Sequence, residues 1–331
     1  MLRVHFTTED LLQVQFADEP APMVELILAV AMLQRSDAVF GPWRRQVGRH
    51  AKCSARALSE LVPATAKGPL FLDPPDSDFD DGLDRVLSTP TALVRSELRR
   101  VHTAGRPPST WTRLLADRDR HTWQSLEHAL RTAHARILGD HWDRIRAGFD
   151  AERAWRTQLL ASRGIRATLT SLTPTARWRD TTLEFDSTDE VEATLDGTGV
   201  TVLPSVFWNG RPLVGRYAQG WFLVYPALTP LPLIDQPANA DALAMLLGNT
   251  RAAILEHLTR PRTGSDLVRE LGLAKSSVSE HTKALRAARL ITAQREGKVI
   301  RHACTPLGLG LLAGVPAIGG SPPSDRPPGT R

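Results

Sequence analysis

The chain has 331 residues, 42% of them hydrophobic, and a net charge of +5, which allows about two domains with buried cores. Two cysteines, Cys53 and Cys304, are too few for the disulfide framework of a small secreted domain. The longest apolar run, Leu26 to Leu33, is too short to span a bilayer, and the first residues lack the apolar core of a signal peptide. We therefore expect a cytoplasmic protein.

Residues 1–225 predict an N-terminal α+β domain that is mainly helical. Residues 3–16 alternate in polarity, which predicts one or two short strands, and Pro20 and Pro22 then introduce an apolar helix. Leu-, Ala- and Arg-rich segments at 82–102 and 109–162 predict further helices.

The character of the chain changes after Gly164, which is a plausible helix stop signal. Short β-branched or aromatic runs between residues 166 and 225 predict a small antiparallel sheet. Asn209-Gly210 separates two such runs and predicts a hairpin turn. Residues 226–240 are a Pro-rich linker, and residues 315–331 are rich in Pro, Gly and Ser and predict a disordered tail.

The positive charge is concentrated near the C-terminus. Residues 1–239 hold 28 basic and 29 acidic residues, whereas residues 240–314 hold 11 basic and six acidic residues. A local basic excess suits a polyanion, because neutralising phosphates releases counterions. An ordinary basic surface would give the same numbers, so charge alone leaves both interpretations open.

Residues 241–314 predict a winged helix-turn-helix. Thr263 is a candidate N-cap for a helix over 264–271, and Gly272-Leu273-Ala274 forms a tight turn. A second helix is expected over 275–288, with Val278 and Leu285 and partly Thr282 facing inward. Two short helices joined by a Gly-containing turn are the helix-turn-helix signature. Strands at about 290–295 and 299–304 then form the wing.

This stretch resembles the winged-helix transcription regulators of the ArsR/SmtB kind. The residues that carry the resemblance open the domain, form the turn and the second helix, and flank the wing: Leu247-Gly248-Asn249-Thr250-Arg251, Leu271-Gly272-Leu273-Ala274, Ser277-Val278-Ser279-Glu280-His281, Lys283-Ala284-Leu285, Leu290-Ile291 and Thr305-Pro306-Leu307-Gly308. The first 230 residues, including Phe40-Gly41-Pro42-Trp43-Arg44-Arg45, resemble an actinobacterial N-terminal domain of unknown function that is fused to such winged helices. That second resemblance brings no known ligand.

The resemblance implies a transcription regulator, a repressor rather than an activator, that binds double-stranded DNA as a homodimer. A dimer is expected because helix-turn-helix proteins usually read two half-sites about one helical turn apart. The N-terminal domain would dimerise, sense a small-molecule effector, or both.

The candidate DNA contacts are polar or basic residues of the helix cap, the second helix and the wing: Thr263, Lys275, Ser276, Ser277, Ser279, Glu280, His281, Lys283, Arg286, Arg295, Lys298 and Arg301. The second helix would enter the major groove, where serines reach bases or phosphates and Glu280 accepts from a cytosine amino group. The wing cations would lie along the backbone or probe a minor groove. A helix cap by Ser276 or Ser277, and a pairing of Arg301 with Glu296, are alternative interpretations.

Two residues depart from the family pattern. Glu280 occupies a position where a basic or amide residue is commoner, which would narrow sequence preference or weaken phosphate affinity. Thr282 occupies a position where a leucine usually packs, which would loosen the helix.

We expect no metal, cofactor or catalytic site. Metal-responsive relatives carry cysteines in the helix before the recognition helix, or Asp and His in the last helix, and residues 264–271 and 307–312 lack those ligands. Asp76, Asp78 and Asp80 alternate as in a calcium loop, but Asp81 stands where an EF-hand needs Gly. Hydrolase, phosphate-loop and His-Glu-x-x-His motifs are absent.

Several aromatic residues of the N-terminal domain allow two interpretations. His121, His128, His134 and His141 fall in one helical stretch and share faces in pairs. The tryptophans of the same stretch are either core residues or the lining of a cavity for a hydrophobic effector: Trp111, Trp123, Trp142 and Trp155.

Two functions are alternatives to a regulator. One is an architectural DNA-binding protein without an effector, and the other is an enzyme that uses the winged helix for protein contact.

Overall fold

The computed structural model describes residues 1–36, 40–102, 109–227, 240–296 and 299–312. The chain divides into two compact units, Met1–Gln236 and Pro237–Arg331. The sequence-predicted tail at 315–331, and residues 228–239 of the predicted linker, lie outside the described residues. Within the described part of the chain, no helix has the length and apolar character needed to cross a membrane.

The described part of the first unit is built from helices and two sheets. Its helices are α1 (Thr8–Leu12), α2 (Pro22–Leu33), α3 (Gly41–Ser59), α4 (Phe79–Ser88), α5 (Thr91–His102), α6 (Thr110–Ala116), α7 (Arg120–Ala133) and α8 (Trp142–Thr170). Its strands are β1 (Leu2–His5), β2 (Gln15–Phe16), β3 (Arg177–Arg179), β4 (Thr182–Phe185), β5 (Val191–Thr194), β6 (Thr201–Ser205), β7 (Leu213–Tyr217) and β8 (Gly220–Pro226). Single turns of 3-10 helix lie at Leu70–Leu72 and Gly139–His141, with a π-helical turn at His134–Leu138.

Helix α2 is the centre of the helical core. Pro22 occupies its first turn, as predicted, and every residue from Pro22 to Leu33 is buried. A helix that is apolar on all sides must be covered on all sides. The largest buried side chains packed in this core include Trp43 and Phe149 from α3 and α8.

The helical stretch after residue 109 is broken more often than the sequence predicts. The π and 3-10 turns at 134–141 separate α7 from α8, so the four histidines do not share one continuous helix. Within α8, Gly164 leaves helical geometry with φ 75° and ψ 174°, which is the stop predicted there. Trp123 is a core residue whose indole N–H donates to the Leu115 carbonyl at 3.1 Å.

The α+β class is confirmed, and the strands form two four-stranded mixed sheets. One has the order β3-β4-β1-β5, and the other β2-β6-β8-β7. In the first sheet β1 pairs antiparallel with β4 and parallel with β5; in the second, β6 pairs parallel with both β2 and β8. The sheets are mixed rather than antiparallel because the N-terminal strands β1 and β2 pair parallel with β5 and β6, and because β8 returns parallel to β6.

The hairpin predicted at Asn209-Gly210 is wrong. Strand β8 lies between β6 and β7, and the antiparallel hairpin is β7–β8, closed at Tyr217 and Gly220. Gly210 serves packing instead, since a Cβ there would clash with the Trp208 ring. That ring is fixed by its N–H, which donates to the Arg211 carbonyl at 2.7 Å.

A buried carboxyl joins α2 to the end of β6. Glu25 accepts hydrogen bonds from the Ser205 hydroxyl at 2.9 Å and from the backbone N–H groups of Val206 at 2.9 Å and Phe207 at 3.0 Å. Burial raises the pKa of Glu25 to about 7, although these hydrogen bonds oppose the rise.

The second unit has a winged helix-turn-helix order. Its described elements are α9 (Ala240–Leu247), α10 (Asn249–His257), β9 (Arg262–Thr263), α11 (Gly264–Leu271), α12 (Lys275–Ala287), β10 (Ile291–Glu296), β11 (Val299–Cys304) and α13 (Pro306–Leu312). A small core of Ile254, Leu255, Leu258, Leu267, Val278, Leu285, Leu290 and Ile291 holds them together. The winged helix predicted from the sequence is confirmed.

Candidate nucleic-acid interface

Helix α11 begins at a capping box formed by Thr263 and Asp266. The Asp266 backbone N–H donates to the Thr263 hydroxyl oxygen at 3.1 Å, and the Thr263 backbone N–H donates to the Asp266 carboxylate at 3.0 Å. These hydrogen bonds, with one from Arg269, lower the pKa of Asp266 to about 2. Thr263 is therefore the predicted N-cap, and the box fixes where the helix starts.

The turn between α11 and α12 depends on Gly272. Its backbone is left-handed, with φ 65° and ψ 24°, and it caps the C-terminus of α11. A left-handed residue at this position ends a helix within one residue, and glycine adopts it without steric cost. Helix α12 then begins at Lys275, so the two helices are joined by only Gly272, Leu273 and Ala274.

The inner face of α12 packs on the unit's core. Val278 and Leu285 are buried, as predicted, and Thr282 is also buried. The Thr282 hydroxyl donates to the Val278 carbonyl at 2.7 Å. The threonine thus leaves no unpaired polar group where the family usually places a leucine.

The outer face of α12 brings most of the predicted contact residues together. Lys275, Ser279, Lys283 and Arg286 follow one another at spacings of four, four and three, so they share one flank of the helix, and all are exposed. Ser276 and Glu280 are exposed beside them. On the opposite flank, Ser277 and His281 are only half-buried.

The N-cap of α12 is Ala274, and it has no side-chain cap. Neither Ser276 nor Ser277 therefore caps the helix, which was the alternative role for these serines.

Among the described side chains on the outer face of α12, Glu280 is the acidic one. Its carboxylate lies on the same outer face as the exposed cations of α12.

The wing is an antiparallel ribbon of β10 and β11. The register pairs Gln294 with Arg301 and Arg295 with Ile300, so positions 295 and 301 fall on opposite faces. Glu296 pairs with Val299, diagonal to Arg301. The tip, including Lys298, lies outside the described residues, and so does the side chain of Arg295.

A third, two-residue strand attaches the wing to the helix-turn-helix. Strand β9 pairs with β11 so that Thr263 lies opposite Arg301 and Arg262 opposite His302. Two of the predicted contact residues, Thr263 and Arg301, are therefore neighbours at the start of α11.

The base of the wing meets the end of α12. Burial, followed by the charge of Arg286, lowers the pKa of His302. The Cys304 thiol donates to the Leu255 carbonyl at 3.2 Å, and burial raises its pKa to about 12. Among the described residues, no three His, Cys, Asp or Glu side chains come together to hold a metal ion.

Sequence reasoning missed Arg262. It is half-buried, its guanidinium lies 3.5 Å from the Glu270 carboxylate, and His257 approaches the same carboxylate at 3.2 Å. This cluster ties the loop after α10 to α11. A strand of two residues is too short to show alternation, so no periodicity could have indicated it.

Comparisons with known proteins agree with this architecture. Residues 248–293 match the family described as bacterial regulatory protein, arsR family, and residues 80–230 match a family of unknown function (DUF5937). Searches of curated proteins and of solved structures found no match to the chain. The resemblance of both parts is confirmed, and the arsR-family domain supports a DNA-binding transcription regulator.

Proposed function

From the arsR-family helix-turn-helix of the second unit, we propose that the protein is a cytoplasmic repressor that binds an operator in double-stranded DNA. Helix α12 would read the major groove, and the wing at about 290–304 would follow the backbone. The observation that carries this proposal is the exposed flank of α12, where three cations and a serine share one face. A helix of this width fits the major groove of B-DNA.

The residues divide into two roles. Lys275, Lys283 and Arg286 would bind phosphates and set the position of the helix, because a flexible cation on a helix flank reaches the backbone first. Ser276, Ser277, Ser279, Glu280 and His281 would contact base edges and set the sequence preference.

A second phosphate site would form beside the start of α11. Thr263 and Arg301 are paired across β9 and β11 beside the start of α11, and the Arg301 guanidinium would supply the positive charge. Arg295 and Lys298 would extend this backbone contact along the wing, as their places in the sequence suggest.

The remainder of the chain would supply dimerisation and regulation. We assign residues 1–225 to a domain that dimerises, senses an effector or both, residues 226–240 to a linker, and residues 241–314 to DNA binding. We expect light scattering to find the full chain as a homodimer.

The first test is a fluorescence-anisotropy titration of the full chain. The protein is titrated against its own upstream DNA and a scrambled duplex of equal length, across a range of salt concentrations. A specific repressor prefers the upstream duplex by at least about a thousandfold at physiological salt. Weak and equal binding to both duplexes would indicate an architectural protein, and no binding at any salt would contradict DNA recognition by this winged helix.

A further inference from the structure

The first unit contains a cavity of about 170 Å³ between helices and strands that are distant in sequence. Its walls come from α2, from the turn before α4, from α5, and from the strands of both sheets. It lies apart from the tryptophan-rich stretch where the sequence allowed an effector cavity. A dry apolar cavity of about 150 Å³ holds one benzene molecule, so this volume suits a small ligand.

Most of the cavity wall is aliphatic. Val24 and Leu28 line it from α2, Leu213 from β7, Val224 from β8 and Leu2 from β1. Surfaces of this kind favour the hydrocarbon part of a ligand and give it little orientation. Orientation must come from the polar groups that reach the same space.

The principal polar group is the pair formed by Asp73 and Tyr217. The Tyr217 hydroxyl donates to Asp73 Oδ1 at 3.2 Å, and both residues line the cavity. An ionised carboxylate has about four lone-pair sites, so Asp73 retains acceptor capacity for a ligand. Burial, and to a lesser extent the charge of Glu97, raises the pKa of Asp73 to about 7, although the Tyr217 hydrogen bond opposes the rise.

The cations that line the cavity are already paired with carboxylates. Arg100 donates to Glu97 at 2.8 Å and to the Gly68 carbonyl at 2.9 Å. Lys67 forms an ion pair with Asp189. At the Asp73 end, two carboxyl groups therefore face one guanidinium, and an added positive charge would balance them.

We propose that this cavity binds a small monoamine, whose ammonium group donates to Asp73 while its hydrocarbon part fills the aliphatic walls. An anionic ligand would meet the Asp73 carboxylate, and a neutral hydrocarbon would cover this partly desolvated carboxylate without adding a positive charge to balance it. The volume sets the ligand at about six to nine non-hydrogen atoms.

The position of the cavity also gives it a route to the rest of the chain. Val224 lines it and lies two residues before Pro226, where β8 ends and the chain leaves for the second unit. A ligand held against β7 and β8 would contact the strand from which that connection starts. An effect of the amine on DNA affinity rests on the proposed function, whereas binding of the amine does not.

The test uses the full chain with benzylamine and benzyl alcohol, which share one hydrocarbon skeleton. Binding is measured by calorimetry at about pH 8, above the pKa of about 7 that burial gives Asp73. We expect the wild-type protein to bind benzylamine more tightly than benzyl alcohol. Asp73→Asn should weaken the affinity for benzylamine by at least about tenfold and change the affinity for benzyl alcohol by less than about threefold. Asp84→Asn, an exposed aspartate of α4, is the matched control and should leave both affinities unchanged.

A second measurement on the wild-type protein keeps the test decisive if Asp73→Asn does not fold. In methyl-labelled protein, bound benzylamine should give nuclear Overhauser contacts to the methyls of Val24, Leu28 and Val224. Equal affinity of Asp73→Asn and wild type for benzylamine, contacts elsewhere, or no binding of either probe to wild type would overturn the proposal. If benzylamine binds at Asp73 and DNA affinity is unchanged, the site stands without an effector role; if DNA does not bind at all, only the proposed function fails.

Discussion

Thr263 and Asp266 exchange hydrogen bonds at the start of α11, and Thr263 also lies opposite Arg301 in the wing sheet. The Thr263 hydroxyl both accepts from the Asp266 N–H and donates to its carboxylate at 2.8 Å. One residue thus fixes the start of the helix and the place where the wing attaches. Loss of the Thr263 side chain should disturb the start of the helix, whereas the backbone pairing with Arg301 would remain.

The first prediction concerns this cap. Thr263→Ala should destabilise the second unit by about 1 kcal/mol, because an N-terminal helix donor loses its acceptor. The hydrogen bonds with Thr263 are the main cause of the low pKa of Asp266. They therefore stabilise the fold at pH values above the ordinary pKa of an aspartate, and this stabilisation is lost as the pH falls from about 4 towards 2. The variant should lose part of that acid sensitivity.

All eight tryptophans lie in the first unit, so tryptophan fluorescence does not report on the second unit. The effect is therefore measured by amide hydrogen exchange of α11 and α12. Thr259→Ala is the control, since that hydroxyl donates to the Glu256 carbonyl and caps no helix N-terminus. Equal protection in the two variants would contradict the prediction.

The second prediction concerns phosphate contacts. Arg301→Ala and Lys298→Ala should weaken binding about equally to operator and random duplexes. Each should also reduce the slope of log K against log salt by about one for each lost phosphate contact. Arg120→Ala removes an exposed arginine of the first unit and should leave the slope unchanged. A changed base preference in either wing variant would contradict a backbone role.

The third prediction concerns the opposite flank of α12. Ser277→Ala and His281→Ala should reduce operator affinity by about 1–3 kcal/mol and leave random-DNA affinity nearly unchanged, because base contacts carry the sequence preference. Competition titrations with operator duplexes that carry single base changes would locate the contacts. Ser125→Ala, an exposed serine of α7 in the first unit, is the matched control. Equal losses of affinity for operator and random duplexes would mean that these residues contact the DNA backbone instead of the bases.

The winged helix could be predicted from the sequence because each of its boundaries has a local cause. Thr263 caps one helix, Gly272 supplies the left-handed residue that ends it, and the spacing of Val278 and Leu285 sets the inner face of the next. The helices of the first unit were foreseen for the same reason, with Pro22 at the start of α2.

The sheet order and the cavity could not be predicted in this way. Strand β1 pairs with β4 and β5, which follow it by about 180 residues, and Tyr217 reaches Asp73 across 144 residues. In each case the local sequence around one partner gives no indication of which distant segment it will contact. At Asn209-Gly210 the local signal was present and misleading, because packing of the Trp208 ring, and not a turn, requires the glycine.

The fourth prediction concerns Cys304. Burial raises its pKa to about 12, and its thiol donates to the Leu255 carbonyl, so the reactive thiolate is scarce at neutral pH. Iodoacetamide should modify native Cys304 at least about 100-fold more slowly than the same residue in guanidinium chloride at pH 8. Mass spectrometry of the peptide that contains Cys304 gives both rates. Comparable rates would show that this part of the wing opens readily.

The fifth prediction concerns the pH dependence of the first unit. Burial raises the pKa values of Asp73 and Glu25 to about 7, so the folded chain holds more protons than the unfolded chain between about pH 4 and 7. These two carboxyl groups should therefore lower the free energy of unfolding of this unit as the pH rises through that range, while His134, whose pKa burial lowers, opposes them in part. Urea denaturation followed by tryptophan fluorescence measures it directly, because every tryptophan lies in this unit.

Asp73→Asn separates the two carboxyls. The amide cannot ionise, so the variant should lose one contribution to the slope, which is at most about 1.4 kcal/mol per pH unit for a single group. The Glu25 contribution should persist, and Asp84→Asn should follow wild type. An unchanged slope in Asp73→Asn would mean that Asp73 ionises as easily in the folded chain as in water, and the electrostatic reason for an amine in the cavity would then fail with it.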